Sequence, residues 1–311
     1  MEQRTLGRTG LKVSVLGYGA GAVGGLFTKG DPNDQERAIA RAIDAGINYF
    51  DTAALYGNGE SEKNLGRVLN NLKAKVIVGT KVRLGAEHRA NIGAGIAKGM
   101  EDSLRRMGRD SVDLMQLHNP LVARDNNDHL AIDIALNEVV PALQMLQKEG
   151  KTRFIGFSGV GETPALLQAI DSGAFDTVQV VYNAVNPSAG GRMPQGVVGQ
   201  DYGNILQRSA DKKVGTIVIR ALAGGAMAGT EARHELAMQV VPPIGSGKDF
   251  ATDVARAKTF EPQMRSTGST SLAEYGMRFV ISNPNVSTML VGYSTIDQLE
   301  QAIAAVNKGK L

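Results

Sequence analysis

Cysteine is absent from this 311-residue chain, which removes disulfides and thiolate metal ligands from consideration. No stretch approaches the roughly 18 consecutive apolar residues that a membrane-spanning helix needs, so no membrane association is expected. The opening residues, MEQRTLGRTG, lack the apolar core of a secretory leader, and a cytoplasmic location is the resulting expectation. Charge of one sign is scarce too. The formal net charge is only +3 and no block of like charges occurs, so a nucleic-acid partner, which needs clustered cations, is not expected. His88, His129 and His234 show no ligand spacing among themselves, and no metal site is expected. The ARDNNDH stretch from Ala123 has acids and amides but neither the glycine nor the terminal glutamate of a calcium loop. It reads as a solvated loop.

What is present is an alternation that runs the length of the chain. Short β-branched runs begin at Val13, Ile47, Lys75, Ser111, Thr152, Thr177, Gly215 and Val286. They are nearly continuous in apolar residues, as parallel strands covered on both faces are. Amphipathic stretches separate them. In ESEKNLGRVLNNL, for example, Leu65, Val68, Leu69 and Leu72 recur at helical spacing with charges opposite. Strict strand–helix alternation of this length predicts an α/β chain folded as one (β/α)8 barrel, a single domain over residues 1–311. Two additions are expected: an N-terminal β-hairpin turning at Gly10, and a long connection, residues 224–270, after the seventh strand.

A competing reading comes from GAGAVG, Gly19 to Gly24, which matches the dinucleotide fingerprint G-x-G-x-x-G after a predicted strand. That motif requires a helix to open at its last glycine and meet a pyrophosphate. Here GLFTKGDPND follows, with Gly30 and Pro32 marking a turn, and Asp51 lies further along than the ribose-binding acid should. The segment is expected to be a loop at the rim of the first strand.

Barrel chemistry sits at the C-terminal ends of strands. Strand two ends at Asp51, with Tyr56 five residues on in the same loop; strand three ends at Lys81 and strand four at His118. An acid, a phenol, an ammonium and an imidazole on one face suit acid–base work on a carbonyl. A free phenol, with a pKa near ~10, is a weak acid at neutral pH, and an adjacent ammonium stabilises its phenolate. A buried ammonium in turn needs a counter-charge. The set lacks an electron source, so an external hydride donor would complete it.

INYFDTAALYGNGESEKNLGRVL, VIVGTKV, DLMQLHNP and the opening RTLGRTGLKVSVLGYG resemble signature segments of the aldo-keto reductase superfamily, with similarity from end to end. The resemblance implies a (β/α)8 barrel that binds NAD(P)(H) and interconverts carbonyls and alcohols on small-molecule carbonyl or sugar substrates. It implies Tyr56 as proton donor, Lys81 and Asp51 as the pair that tunes it, and His118 as the group orienting the carbonyl. For the cofactor it implies Gly19, Ser158, Gln179, Arg220 and Leu222, with Gly292, Ser294, Gln298 and Gln301 in the loop and helix after strand eight. Arg220 as a surface ion-pair partner stays open beside that role. Ser158 is followed by Gly159 where the family usually has asparagine.

NADPH-preferring relatives carry Lys or Arg after strand eight, whereas LVGYSTIDQLEQ offers hydroxyls and amides with Asp297 and Glu300 nearby. NADP(H) follows from the family habit and NAD(H) from this departure. The GAVGGLF loop resembles aldose dehydrogenases, so aldose 1-oxidation is an alternative. A cofactor-binding regulatory subunit of a channel-like partner is an alternative of another class. A Schiff-base aldolase using Lys81 would leave Tyr56 and Gln179 without a role.

Overall fold

The chain begins by sealing one end of what it later builds. In the computed structural model, which describes residues 1–126, 128–242 and 248–311, Gln3–Thr5 pairs antiparallel with Lys12–Ser14. Gly10 turns the hairpin in the left-handed region at φ +70°. Leu6 and Val13 are fully buried against the inward-facing Tyr49, Leu114, Ile217 and Leu290, so the hairpin closes the N-terminal end of the barrel.

Eight parallel strands then form a closed ring: β1 (Leu16–Gly19), β2 (Tyr49–Asp51), β3 (Ile77–Val82), β4 (Val112–Leu117), β5 (Thr152–Gly159), β6 (Thr177–Val181), β7 (Gly215–Ile219) and β8 (Thr288–Val291). Pairing of Met289 with Leu16 closes it. The run beginning at Val13 is therefore two strands rather than one. Ser14 marks the break: its N–H donates to Asn48 Oδ1 and its hydroxyl to the Leu16 carbonyl, bending the chain out of the hairpin and into the ring.

The main outer helices are α1 (Pro32–Asp44), α2 (Glu60–Asn71), α3 (Ile92–Met107), α4 (Val140–Lys148), α5 (Thr163–Asp171), α6 (Ile205–Asp211), α7 (Leu272–Ser282) and α8 (Ile296–Asn307). Their starts follow capping chemistry. Asp31, Asn91, Ser271 and Thr295 each accept a first-turn N–H, and Pro32 occupies the first helical position of α1. Before α4 the chain makes a wide π turn, Ala135–Val139, because Pro141 has no N–H for the regular ladder.

The segment after β1 is not wholly loop. A single helical turn, Leu26–Lys29, opens from Gly25, too short for the helix of a dinucleotide fingerprint. The long connection after β7 contains a 3-10 segment, Ala223–Ala228, and two helices, Phe250–Lys258 and Glu261–Ser266. Residues 243–247 of it, and Asn127 of the ARDNNDH stretch, lie outside the described residues. Part of this connection packs as a strap on the loop after β1. Met238 N–H donates to the Ala22 carbonyl, and a Cβ on Gly25 would fall 1.8 Å from the Leu236 oxygen. No helix among the described residues is long and apolar enough to cross a membrane.

Candidate active site

β2 delivers Asp51 at its last position, and the chain then reverses in eight residues to enter α2. Gly57, Asn58 and Gly59 are all left-handed, at φ +61°, +52° and +91°, which is why the turn is built from glycine and asparagine. Tyr56 sits just before that reversal. The turn is pinned from outside: Arg106 packs on Gly59 and donates to buried Glu62, which also accepts from Thr80 Oγ1.

Lys81, on β3, is buried with only 1% of its surface exposed. Its ammonium has three N–H groups and three acceptors: Asp51 Oδ1, the Thr52 carbonyl at 2.8 Å and Tyr56 Oη at 3.1 Å. Burial works to lower the lysine pKa, but Asp51 and Tyr56 outweigh it and hold it above the ordinary value. Because all three N–H groups are engaged, the phenol oxygen accepts from Lys81 and its own proton points elsewhere.

His118, one residue beyond β4, meets the Tyr56 ring edge-on with centroids 5.8 Å apart. Burial, helped by the Lys81 and Arg83 charges, lowers its pKa to about 3, so the imidazole is neutral. Its Nδ1 is buried without a hydrogen-bond partner. Gly21 of the loop after β1 lies against the opposite part of the tyrosine ring. The four side chains named for the chemistry thus converge at one mouth.

Two residues beside them are visible only in the structure. Asp51 Oδ2 accepts from Gln179 Nε2 at 2.8 Å, from Gln116 Nε2 at 3.1 Å and from Tyr49 Oη at 3.2 Å. Sequence reasoning passed over Gln116 and Tyr49. The available signal was period-two spacing, since each lies two residues before a strand-end group and so faces the same way.

The residues expected around a cofactor fall into two groups, with one residue apart. Ser158 and Gln179 are in register on β5 and β6; the serine hydroxyl is buried and unpartnered, while the glutamine donates one Nε2 hydrogen to Asp51. An asparagine at 159 is excluded here by packing, because a Cβ on Gly159 would lie 2.3 Å from the Gln179 carbonyl. Arg220 follows β7 at φ +57° with Nη1 buried and unpartnered. Burial lowers its pKa and the nearby Tyr56 and Tyr202 act against that. With Nη1 buried and unpartnered, the reading of Arg220 as a surface ion-pair partner does not hold. Leu222, half-buried, packs where two apolar clusters meet. Asn183 and Asn186 are consumed in shaping the loop after β6.

A second group is structural in its contacts. Glycines 19, 24 and 292 let the loops after β1 and β8 touch backbone to backbone. Ser294 Oγ donates to the Gly24 carbonyl, and Gln298 Oε1 accepts from the Ser294 N–H. Gln301 stands apart from both groups, exposed on α8.

Beside Ser294 opens a groove of about 470 Å³, bordered by Lys29, Asp31, Asp34, Arg37, His234, Glu235 and Asp297. Its cations, Lys29 and Arg37, come from the segment after β1 rather than from the loop after β8. Four carboxylates face them. Arg37 is paired with Asp34 at 3.0 Å, and Glu300 is turned away into a pair with Arg41. Among the described residues no three metal-ligating side chains gather.

A family model described as the aldo/keto reductase family matches residues 15–311. L-galactose dehydrogenase of Arabidopsis thaliana is 30% identical over 311 residues, covering 99% of this chain and 89% of that protein. D-threo-aldose 1-dehydrogenase of a Pseudomonas species is 32% identical over 196 residues, covering 55% and 57%. Among solved structures, the holo form of aldo-keto reductase AKR11C1 from Bacillus halodurans superposes with a TM-score of 0.75 at 23% identity, over 100% of this chain and 92% of that one.

Proposed function

The chain belongs to the aldo/keto reductase family and is an oxidoreductase, and from that premise we propose that it interconverts a carbonyl and an alcohol with Tyr56 as the proton donor. The observation that carries the reading is the saturated Lys81 ammonium, which fixes the phenol oxygen as acceptor and frees its proton for the mouth. In the reductive direction Tyr56 gives that proton to the carbonyl oxygen, and Lys81 stabilises the resulting phenolate. Neutral His118 donates from Nε2 to the same oxygen and holds it in line. Being neutral, it orients without competing as an acid. Asp51 keeps Lys81 charged. In the oxidative direction the same groups act in reverse, with the phenolate as base.

The residues present fit a nicotinamide dinucleotide. Ser158 offers an unpartnered buried hydroxyl and Arg220 an unpartnered buried guanidinium nitrogen, two donors suited to a carboxamide and a pyrophosphate. When bound, such a cofactor supplies or accepts the hydride. Ser158 and Gln179 would hold its nicotinamide end, Arg220 and Leu222 its phosphates, and the groove beside Ser294 its adenosine ribose. Four carboxylates around that groove disfavour a dianionic 2′-phosphate, so NAD(H) is the preferred form. Within the same chemistry a second reading is aldose oxidation at C1, favoured by the likeness to L-galactose dehydrogenase.

Tyr56→Phe is expected to abolish turnover while the fluorescence of NADH itself still changes on binding; a near-normal kcat would end the mechanism. Comparing kcat/KM for NADH and NADPH, and for NAD+ with a panel of aldoses, tests the cofactor and substrate readings. A large NADPH preference would overturn the first.

A further inference from the structure

We propose that Gln116, together with Tyr49, is a positioning residue that holds the Asp51 carboxylate in one orientation so that Lys81 stays aimed at Tyr56. The proposal rests on the reading of Tyr56 as proton donor.

A carboxylate held by one oxygen can rotate about its Cβ–Cγ bond and present both oxygens to a neighbouring ammonium. Doing so here would engage two of the three Lys81 N–H groups, and the one most loosely held is that on Tyr56, at 3.1 Å against 2.8 Å for Thr52. The observed arrangement prevents this. Oδ1 takes Lys81, while Oδ2 takes neutral donors from two other strands and from its own: Gln179 of β6, Gln116 of β4 and Tyr49 of β2. Donors converging from three directions fix the carboxylate plane, which no single partner would do.

The interior of the barrel is hollowed to admit two of these donors. A Cβ on Gly79 would lie 2.6 Å from Tyr49 Oη and 3.4 Å from Asp51 Oδ2. A Cβ on Gly156 would lie 3.3 Å from Gln116 Cγ and 2.2 Å from Thr177 Oγ1. Nor is Gln116 explained by packing. It is fully buried, and its Oε1 has no partner, so it carries an unsatisfied acceptor that leucine would not. Among the described residues its one side-chain hydrogen bond goes to Asp51.

The test uses Gln116→Leu and the gentler Tyr49→Phe in the full-length protein. The readout is the ultraviolet tyrosinate titration, taken as the difference between each protein and its own Tyr56→Phe partner, so that it needs no substrate. When Asp51 turns to grip Lys81 with both oxygens, Tyr56 loses its cationic donor. The ionisation removed by Tyr56→Phe then moves to higher pH, by about one unit in Gln116→Leu and less in Tyr49→Phe. Thermal stability of Gln116→Leu stays level or rises. With 4-nitrobenzaldehyde and the better nicotinamide cofactor, kcat falls about tenfold at unchanged cofactor affinity. An unmoved ionisation in Gln116→Leu overturns the proposal and leaves the role of Tyr56 standing. Undiminished turnover in Tyr56→Phe alone overturns that role and the proposal with it.

Discussion

Removing either half of the Asp51–Lys81 pair should damage the fold unequally, and the structure says in which order. Breaking a buried pair by deleting one partner costs about 3–5 kcal/mol, because the survivor is left charged and desolvated. In Lys81→Met the survivor is Asp51, which keeps three neutral donors, so the cost should lie at or below the lower end, about 2–3 kcal/mol. In Asp51→Leu the survivor is Lys81, with only the Thr52 carbonyl and Tyr56 oxygen to face, and Gln116, Gln179 and Tyr49 lose their acceptor as well. That variant should lose about 5 kcal/mol, or about 6–8 °C in Tm for a chain of this length. The double variant carries no buried charge and should be no worse than Asp51→Leu alone, giving a coupling of about 2 kcal/mol or more. Urea unfolding at pH 7 of the four proteins completes the cycle. Equal losses in the two single variants, or strict additivity in the double, would refute the claim that Oδ2 is satisfied independently of Lys81.

His118 gives a stability prediction with a definite sign. Its folded pKa of about 3 lies below the value near ~6.5 expected when unfolded, so between those limits the unfolded chain binds the extra proton and stability falls with pH. From pH 7 to pH 5 the wild type should lose about 2 kcal/mol more than His118→Asn, read from urea midpoints; parallel curves would mean the imidazole is not held neutral by burial. Gly59→Ala should cost about 1–2 kcal/mol through its φ of +91° and its collision with Arg106, and should depress kcat more than cofactor affinity, because the turn carries Tyr56. An unchanged kcat would show that Tyr56 is placed independently of that turn.

Much of this was legible because it is local. Eight β-branched runs separated by amphipathic stretches define the barrel, and strand ends deliver Asp51, Lys81 and His118 by period-two geometry alone. Where local pattern is ambiguous, reading failed. Val13 to Gly19 looks like one strand because a bend made by the Ser14 hydroxyl leaves no mark in hydropathy. Gln116 was missed because its significance lies in meeting Asp51 across the barrel interior, 65 residues away in sequence, and Tyr49 because its hydroxyl bonds to Asp51 two residues on, where hydropathy shows only another apolar strand residue. Cations were sought in the loop after β8, whereas those bordering the groove beside Ser294, Lys29 and Arg37, belong to the segment after β1, which tertiary packing brings there. Ser294 and Gln298 show the converse: polar residues near the expected place whose bonds go to loop and helix-end geometry.

The ring is closed by Met289 meeting Leu16, strands from opposite ends of the chain. A growing polypeptide therefore displays the free edge of β1 from its own emergence until β8 follows. Throughout that interval the unpaired edge can recruit a foreign strand, and parallel pairings of such long reach form slowly. Aggregation in the cell should thus depend on elongation rate and chaperone supply more than on the equilibrium strength of the finished barrel.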